Sequence, residues 1–258
     1  MNKTNWIGKK IIHKEITGST NQDIKELAMG GAEEGTVVCA DIQTAGRGRR
    51  GRSWLSEKGD SLLFSLLLRP EIAPDKASQI TLLMALAVTR ALREQYGFEA
   101  VIKWPNDIVI NGKKVCGILT ELHPDADGRY FVVVGCGINV GQKRVPDELQ
   151  GLATSLLLES NSNCVIETGE LLQGILAEFE QYYDRFLTSE NLADFTDEYN
   201  DWLISLHKEV RILDPKGEYN GISKGINDKG ELLVELATGE QTAVYAGEVS
   251  VRGLYGYV

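Results

Sequence analysis

The chain has 258 residues, of which 43% are hydrophobic and 25% are charged, a composition typical of soluble globular proteins and unlike that of a disordered chain. Its 27 basic and 37 acidic residues give a net charge of −10, which disfavours binding to nucleic acid or an anionic membrane. The longest nearly apolar stretch, residues 80–88, is too short to cross a bilayer, and the N-terminus lacks the apolar core of a secretory signal. A cytoplasmic protein is therefore expected.

The first hundred residues alternate between strand and helix patterns. In chain order we predict a strand over residues 9–16, a helix capped by Ser19 or Thr20 that ends at Gly30, a strand over residues 36–41, a loop over residues 44–54, a buried strand over residues 61–70 and a helix capped by Asp75 that ends at Gly97. The second helix places Ile80, Leu83, Ala87 and Ala91 on one face.

Residues 101–140 contain short runs of β-branched residues separated by turns, a pattern that predicts an antiparallel meander. Asn111-Gly112 is typical of a two-residue type I′ hairpin turn. Such a turn would pair Ile110 with Lys113, Val109 with Lys114 and Asp107 with Cys116. Asp107 and Lys114 would then be diagonal neighbours about 7 to 8 Å apart on one face, without a direct ion pair.

The C-terminal half begins with a polar segment, residues 142–150, that we interpret as a mobile loop. Apolar stripes over residues 172–186 and 192–202 predict two helices. After Leu206 the pattern changes to five brief strands, which predict a small β-barrel. We therefore expect two domains, residues 1–206 and 207–258. The cysteines, Cys39, Cys116, Cys136 and Cys164, include no CxxC pair and indicate reduced thiols rather than disulfides or a zinc site.

The loop over residues 44–54 contains Gly46, Gly48 and Gly51 in a G-x-G-x-x-G spacing. A dinucleotide fingerprint should begin a helix, whereas this loop leads toward a strand, and no Walker motif follows. Its four arginines, Arg47, Arg49, Arg50 and Arg52, suit a clamp for a phosphate or carboxylate. A solvated or nucleic-acid-binding basic turn is the alternative.

Two further segments each allow two interpretations. Residues 103–107 place a tryptophan, a proline and two polar groups at the start of a strand, which indicates either a turn or part of a site. Residues 135–139, GCGIN, follow four apolar residues, so the glycines indicate either a bulge or a bare backbone that a ligand approaches closely.

Together these segments resemble the biotin protein ligases. GSTNQ, GRGRRGRSW, KWPNDIVINGKKVCGIL and GCGINV occur in that family's order and spacing, and EVSVRG resembles the end of its C-terminal domain. The resemblance implies an α/β (α+β) fold with a catalytic domain similar to class II aminoacyl-tRNA synthetases, a mixed sheet flanked by helices, and a Src-homology-3-like β-barrel. Because only about twenty residues precede Ser19, we expect the ligase-only type without an N-terminal DNA-binding domain.

The chemistry implied by the resemblance has two steps. Biotin reacts with ATP and Mg2+ to give biotinyl-5′-AMP, and a lysine of a biotin carboxyl carrier protein or domain then takes the biotin. The implied acceptor belongs to acetyl-CoA carboxylase or another biotin-dependent carboxylase, neither DNA nor a membrane is an expected partner, and a homodimer is left open. No enzyme nucleophile is required, but positive charge must surround the reacting anions.

The resemblance also implies roles for individual residues. The implied catalytic residues are Lys114, Arg49 and Asp107, the last also as a magnesium ligand. The implied biotin-binding residues are Ser19, Thr20, Asn21, Gln43, Arg47, Gly48, Arg49, Lys114 and Gly117. The implied nucleotide-binding residues are Arg49, Arg50, Arg52, Trp54, Lys103, Asn106, Asn139 and Arg252. Helix capping is the alternative for Ser19 and Thr20, a core position is the alternative for Trp54, and neighbouring Lys113 is expected to be a solvated lysine.

Three other functions remain open at this stage. A lipoate or octanoate ligase or transferase would share the fold, although a different arginine-glycine signature is expected there. A nicotinamide-dependent oxidoreductase would depend on the three glycines alone. A nucleic-acid-binding module would depend on the arginine loop alone, against the net charge of −10.

Overall fold

The computed structural model describes residues 4–54, 59–125, 127–160, 166–214, 217–246 and 250–253, without the side chains of Ser250 and Arg252. Within these ranges, no helix has both the length and the apolar character that a bilayer crossing requires. The described cysteines, Cys39, Cys116 and Cys136, are free thiols, as predicted, and Cys164 lies outside the described residues.

A seven-stranded mixed sheet forms the centre of the fold. Its strands are β1 (Ile11–Thr17), β2 (Val37–Gln43), β3 (Ser61–Leu68), β4 (Val101–Lys103), β5 (Asp107–Ile110), β6 (Lys113–Pro124) and β7 (Tyr130–Asn139), in the spatial order β1-β2-β3-β7-β6-β5-β4. Only the pairing of β1 with β2 is parallel. The predicted meander over residues 101–140 is confirmed.

Helices cover both faces of this sheet. They are α1 (Thr20–Met29), α2 (Gln79–Tyr96), α3 (Leu156–Glu159), α4 (Thr168–Ser189) and α5 (Thr196–Trp202). Ile24 and Ala28 of α1 pack on Val38, Leu67 and Val133, whereas their neighbours along the strands face the core beneath α2 and α4. The central strands are continuously apolar because both of their faces are buried.

Helix α2 was predicted to have one buried apolar face, but it is buried on nearly all sides. It lies between the sheet and α4, and nearly every residue from Gln79 to Leu92 is buried. The expected cap at Asp75 is wrong, because Asp75 lies in a 3₁₀ turn (Pro74–Ser78) and the helix begins after Ser78. The predicted end at Gly97 is confirmed: its φ is 70°, a left-handed conformation that glycine adopts without strain.

The β5-β6 hairpin has the predicted turn but not the full predicted register. Asn111 and Gly112 have φ values of 50° and 75°, as a type I′ turn requires. Ile110 pairs with Lys113 and Val109 with Lys114, but a β-bulge follows in β6, so Asp107 pairs with Gly117 rather than Cys116. A bulge of this kind places two residues of one strand opposite one of the other and redirects the side chains beside it.

The last five strands form a separate antiparallel sheet. They are β8 (Glu209–Asp214), β9 (Gly217–Ile226), β10 (Leu232–Glu235), β11 (Gln241–Val244) and β12 (Ser250–Gly253), in the order β11-β10-β9-β8-β12. Trp104, at the turn between β4 and β5, is buried and donates its indole N–H to Gly230 O at 3.0 Å. This small sheet therefore packs on the turn that precedes Asn106 and Asp107.

Candidate active site

A polar cavity lies where the N-terminus of α1, the arginine-rich loop and strands β6 and β7 meet. Its lining includes thirteen residues that bear on the predictions: Ser19, Thr20, Asn21, Gln43, Arg47, Gly48, Arg49, Trp54, Asn106, Lys114, Gly117, Gly135 and Gly137. Nearly all of the predicted biotin-binding and catalytic residues are thus brought together by segments that are far apart in sequence.

The N-terminus of α1 contributes buried polar groups to this cavity. Ser19, Thr20 and Asn21 are each no more than 6% exposed. Ser19 occupies the N-cap position, but its side chain makes no capping hydrogen bond, so capping does not account for it. Thr20 instead contacts Gln43, whose Oε1 accepts from the backbone N–H of Thr20 at 2.8 Å and from its hydroxyl at 3.1 Å.

The arginine-rich loop is short and irregular, and contains one 3₁₀ turn (Arg49–Gly51). Arg50 and Gly51 have φ values of 58° and 73°, which explains why a glycine is needed at the second of these positions. Gly48 donates its N–H to Arg52 O at 2.7 Å and closes the loop on itself. The loop continues toward strand β3 rather than into a long helix, so the dinucleotide-fingerprint interpretation is wrong.

Two arginines of the loop point at different parts of the site. Arg49 donates to Asn106 Oδ1 at 2.9 Å and to the carbonyl oxygen of Ala246, which follows strand β11 of the small sheet. Burial lowers the pKa of Arg49, although nearby Asp107 opposes this effect. Arg47 reaches Glu121, with 3.3 Å between Nη2 and Oε2.

Lys114 and Asp107 form a direct ion pair, with 2.6 Å between Nζ and Oδ1 and with both side chains largely buried. The expectation of diagonal neighbours without an ion pair is therefore wrong. The expectation assumed regular pairing through the hairpin, whereas the β-bulge between the Ile108 and Val109 pairs interrupts that pairing and redirects the side chains beside it. Asn106 adds a hydrogen bond to Asp107 Oδ1 at 3.1 Å.

The backbone of Lys114 is held by a distant segment rather than by the hairpin alone. Its N–H donates to Leu152 O at 2.9 Å, and its C=O accepts from the N–H of Thr154 at 2.8 Å. Lys113, expected to be a solvated lysine, instead forms an ion pair with Glu159 at 2.6 Å. Glu159 also accepts from Thr154 and Asn111, each at 2.6 Å, so one carboxylate joins the hairpin to the segment that holds Lys114.

Trp54 lies across a floor of glycines. A Cβ added to Gly117 or Gly137 would come within 2.9 or 2.7 Å of its indole ring, and Lys114 Nζ lies 5.6 Å from the ring centre. Its indole nitrogen is buried without a hydrogen-bond partner among the described residues. The open cavity is only about 50 Å³, far below the roughly 300 to 1,000 Å³ of ligand pockets. The lining of this cavity must therefore open when a ligand of drug-like size enters.

Of the remaining predicted nucleotide-binding residues, Arg50, Arg52 and Lys103 lie beside this cavity, whereas Asn139 lines neither this cavity nor the adjoining one. Arg49, Arg50, Arg52, Trp54, Lys103, Asn106, Asp107, Lys114 and Val251 line a second, adjoining cavity of about 120 Å³. Asn139 lies at the end of β7 and donates to Thr154 O at 2.9 Å. The side chain of Arg252 lies outside the described residues.

Sequence reasoning missed two residues that contact the lining of the site, Ser65 and Glu121, whereas Gly135 and Gly137 belong to the GCGIN segment for which a close approach of a ligand was one interpretation. Ser65 is fully buried and contacts both Thr20 and Asn21. A signal for Glu121 was present, because residues 117, 119 and 121 share one face of a strand. Glu121 thus lies on the same face of β6 as the predicted Gly117.

The site offers little for a metal held by protein groups. Among the described residues, no three histidine, cysteine, aspartate or glutamate side chains come together as ligands. The carboxylate of Asp107 is engaged by the ammonium of Lys114. The side chains of the site therefore do not fit a resident metal ion. Asp107 could supply one contact to a metal ion that arrives with a substrate.

The sequence matches the Biotin/lipoate A/B protein ligase family over residues 14–139. Residues 206–252 match the Biotin protein ligase C terminal domain. The chain therefore belongs to the biotin protein ligases.

Similar proteins agree with this assignment. The chain is 38% identical to the Bifunctional ligase/repressor BirA of Bacillus subtilis over 96% of this chain and 76% of that protein. It is 32% identical to the Biotin--[acetyl-CoA-carboxylase] ligase of Mycobacterium tuberculosis over 90% of this chain and 85% of the relative. The biotin protein ligase of Aquifex aeolicus, solved in complex with biotin and ATP, superposes with a TM-score of 0.84 at 33% identity, over 95% of this chain and 99% of the other.

Proposed function

We infer that this chain is an ATP-dependent biotin protein ligase, which forms biotinyl-5′-AMP and transfers biotin to a lysine of an acceptor protein. The observation that carries this inference is the convergence of Arg47, Arg49 and Lys114 on one polar cavity lined by Thr20 and Asn21. Positive charge there faces the two anions that must react, and a separate polar corner suits a small uncharged ring.

In the first step, an oxygen of the biotin carboxylate attacks the α-phosphorus of ATP and pyrophosphate leaves. We assign Lys114 to the carboxylate and Arg49 to the α-phosphate, with Arg50 and Arg52 toward the departing pyrophosphate. Fixed cations stabilise the charge that builds on the phosphate oxygens because they need no reorganisation during the reaction. Arg49 is already held by Asn106 and by the carbonyl oxygen of Ala246, so its guanidinium is oriented before ATP arrives.

In the second step, the amine of the acceptor lysine attacks the carbonyl carbon of the mixed anhydride and AMP leaves. Asp107 lies 2.6 Å from Lys114, close to where the biotin carbonyl would lie. We propose that Asp107 orients the incoming amine. The acceptor we propose is a biotin carboxyl carrier protein or domain, as found in acetyl-CoA carboxylase.

Magnesium enters this scheme as part of the MgATP substrate. Mg2+ is commonly bound by one or two carboxylates together with substrate phosphates. Asp107 is the carboxylate that we propose for such a contact.

We also propose that residues 1–206 form the catalytic domain, similar to class II aminoacyl-tRNA synthetases, and that residues 207–258 form a Src-homology-3-like barrel. The mixed seven-stranded sheet and the five-stranded antiparallel sheet support this division. The contact of Arg49 with Ala246 gives the small domain a part in orienting the catalytic loop.

Biotin-dependent release of pyrophosphate from ATP tests this function. We expect release with biotin and no release with lipoate, followed by incorporation of labelled biotin into a purified carrier domain. Turnover with lipoate but not with biotin would contradict the assignment and favour a lipoate or octanoate ligase.

A further inference from the structure

The amide of Asn21 lies at the centre of a buried hydrogen-bond chain that crosses three strands of the sheet. Its Nδ2 donates to Glu121 Oε2 at 2.7 Å, and its Oδ1 lies 2.6 Å from Ser65 Oγ. A Cβ on Gly135 would come within 1.9 Å of Asn21 Oδ1, so the amide lies directly on the glycine backbone. The amide is therefore fixed in place by Glu121, Ser65 and Gly135.

Glu121 sets the direction of this chain. A carboxylate can only accept hydrogen bonds, so the NH₂ group of Asn21 must face Glu121 and the amide oxygen must face Ser65. The guanidinium of Arg47 lies 3.3 Å from the same carboxylate oxygen. Ser65 has one proton, and Asn21 Oδ1 can only accept, so that proton belongs to the bond with Asn21.

The direction of the chain also affects the hydroxyl group of Thr20. Its hydroxyl lies 3.1 Å from Gln43 Oε1 and 2.7 Å from Ser65 Oγ, so its single proton has acceptors within the protein. What the Thr20 hydroxyl presents to the cavity is therefore lone pairs. The buried wall formed by Thr20 and Asn21 is a wall of acceptors, which accepts N–H donors and repels other acceptors.

We propose that Glu121 is a specificity-determining positioning residue, which directs the chain through Asn21 and Ser65 so that the cavity wall accepts the N–H groups of a cyclic urea. The inference deepens the proposed function and rests on it, since biotin carries such a ring. A ring without N–H donors, such as the dithiolane of lipoate, would leave these buried acceptors unpaired. Sites built around hydrogen bonds reject such analogues strongly.

The test compares biotin with its two cyclic carbamate analogues, each of which has oxygen in place of one ring N–H. Calorimetry on the full chain gives Kd for each ligand. We expect the wild type to prefer biotin over the weaker-binding analogue by about 100-fold. In Glu121→Gln the only fixed acceptor left for the Nδ2 group of Asn21 is the carbonyl oxygen of Leu119, at the longer distance of 3.4 Å, so we expect the preference to fall to about 10-fold or less. An unchanged preference in this variant overturns the proposal.

Matched variants distinguish a reversed hydrogen-bond direction from a general disruption of the fold. Glu218→Gln makes the same chemical change in an exposed ion pair with Arg211, and should leave the preference unchanged. Equal loss in Glu218→Gln and Glu121→Gln would count against a specific role. Should Glu121→Gln fail to fold, Ser65→Ala interrupts the same chain one residue further along and should reduce the preference in the same way.

A compensating pair gives a second readout. In Glu121→Gln combined with Asn21→Asp, the new amide at 121 can donate to the new carboxylate at 21, which again turns only acceptor oxygens toward Ser65. We expect the double variant to recover at least part of the preference that each single variant loses. No recovery contradicts the directional chain, whereas a wild type that binds no biotin contradicts the proposed function instead.

Discussion

At the scale of single residues, the ion pair of Lys114 with Asp107 is the feature that the proposed function places closest to the reacting atoms. The ammonium lies over Gly117, and the backbone on both sides of it is held by residues 152–154. The position of the ammonium is therefore set by contacts between distant parts of the fold. The loss of one such fixed charge typically costs a factor of about 100 to 1,000 in rate.

We accordingly expect Lys114→Ala to lower biotin-dependent pyrophosphate release by about 100- to 1,000-fold, because the carboxylate of biotin loses its cation. The melting temperature should change by only a few degrees, since one partly exposed ion pair contributes about 1 kcal/mol. Lys113→Gln is the matched control: its side chain is directed to Glu159 and should leave pyrophosphate release within a few-fold of wild type. Wild-type release in Lys114→Ala would exclude its catalytic role.

Several of these residues could be predicted from the sequence, and others could not. Local turn chemistry at Asn111 and Gly112 correctly predicted the first two pairs of the hairpin. The bulge beyond them has no local signature in the sequence, and the backbone of Lys114 is held by residues 152–154, about 40 positions away. The ion pair of Lys114 was missed for that reason, whereas Glu121 could have been found from the two-residue period of β6.

At the scale of elements, strands β6 and β7 form a floor beneath Trp54. The residues of this floor that face the indole ring, Gly117 and Gly137, have no side chains. The GCGIN segment was open to two interpretations from sequence, a bulge or a bare backbone. Gly137 pairs regularly with Leu63 and Gly117, so the bulge interpretation is wrong. The glycines leave space above the sheet for the indole ring of Trp54. By the proposed function, they also leave space for the ligand when it binds.

Gly137→Ala tests this floor, because its Cβ would lie 2.7 Å from Trp54 and force the indole ring away. We expect the KM for biotin to rise by about 10-fold, in line with the usual cost of about 1–3 kcal/mol for overpacking. Gly169→Ala in the first turn of α4 is the control, since nothing lies within 4 Å of an added Cβ there. A KM for biotin in Gly137→Ala equal to that of wild type would show that the floor tolerates a side chain.

At the scale of the whole molecule, two buried carboxylates join segments that are distant in sequence. Glu180 of α4 accepts from the backbone N–H groups of Asn5, Trp6 and Ile7 at 2.6, 3.0 and 2.8 Å. These donors lower the pKa of Glu180 despite its burial. Hydrogen bonds from Lys113, Thr154 and Asn111 likewise lower the pKa of Glu159.

A lowered pKa in the folded state has a definite sign for stability. Each group contributes fully above the pKa of an unfolded glutamate, about 4.3, and the contribution is lost as the pH falls through the folded pKa. We therefore expect the free energy of unfolding, measured with urea, to fall below about pH 4.3. Glu180→Gln should be less stable by about 1–3 kcal/mol at pH 7 and should lose less on acidification. An acid dependence identical to that of wild type would contradict this assignment, and Glu218→Gln is the exposed control.

The contact between Asp107 and Lys114 also bears on how the vitamin is first captured. In the resting enzyme a carboxylate already accompanies the ammonium, so an arriving biotin does not bring the first negative charge but replaces one. By the proposed function, this exchange leaves the net charge around the ammonium unchanged. The bicyclic head of the vitamin would then supply the larger part of the binding free energy.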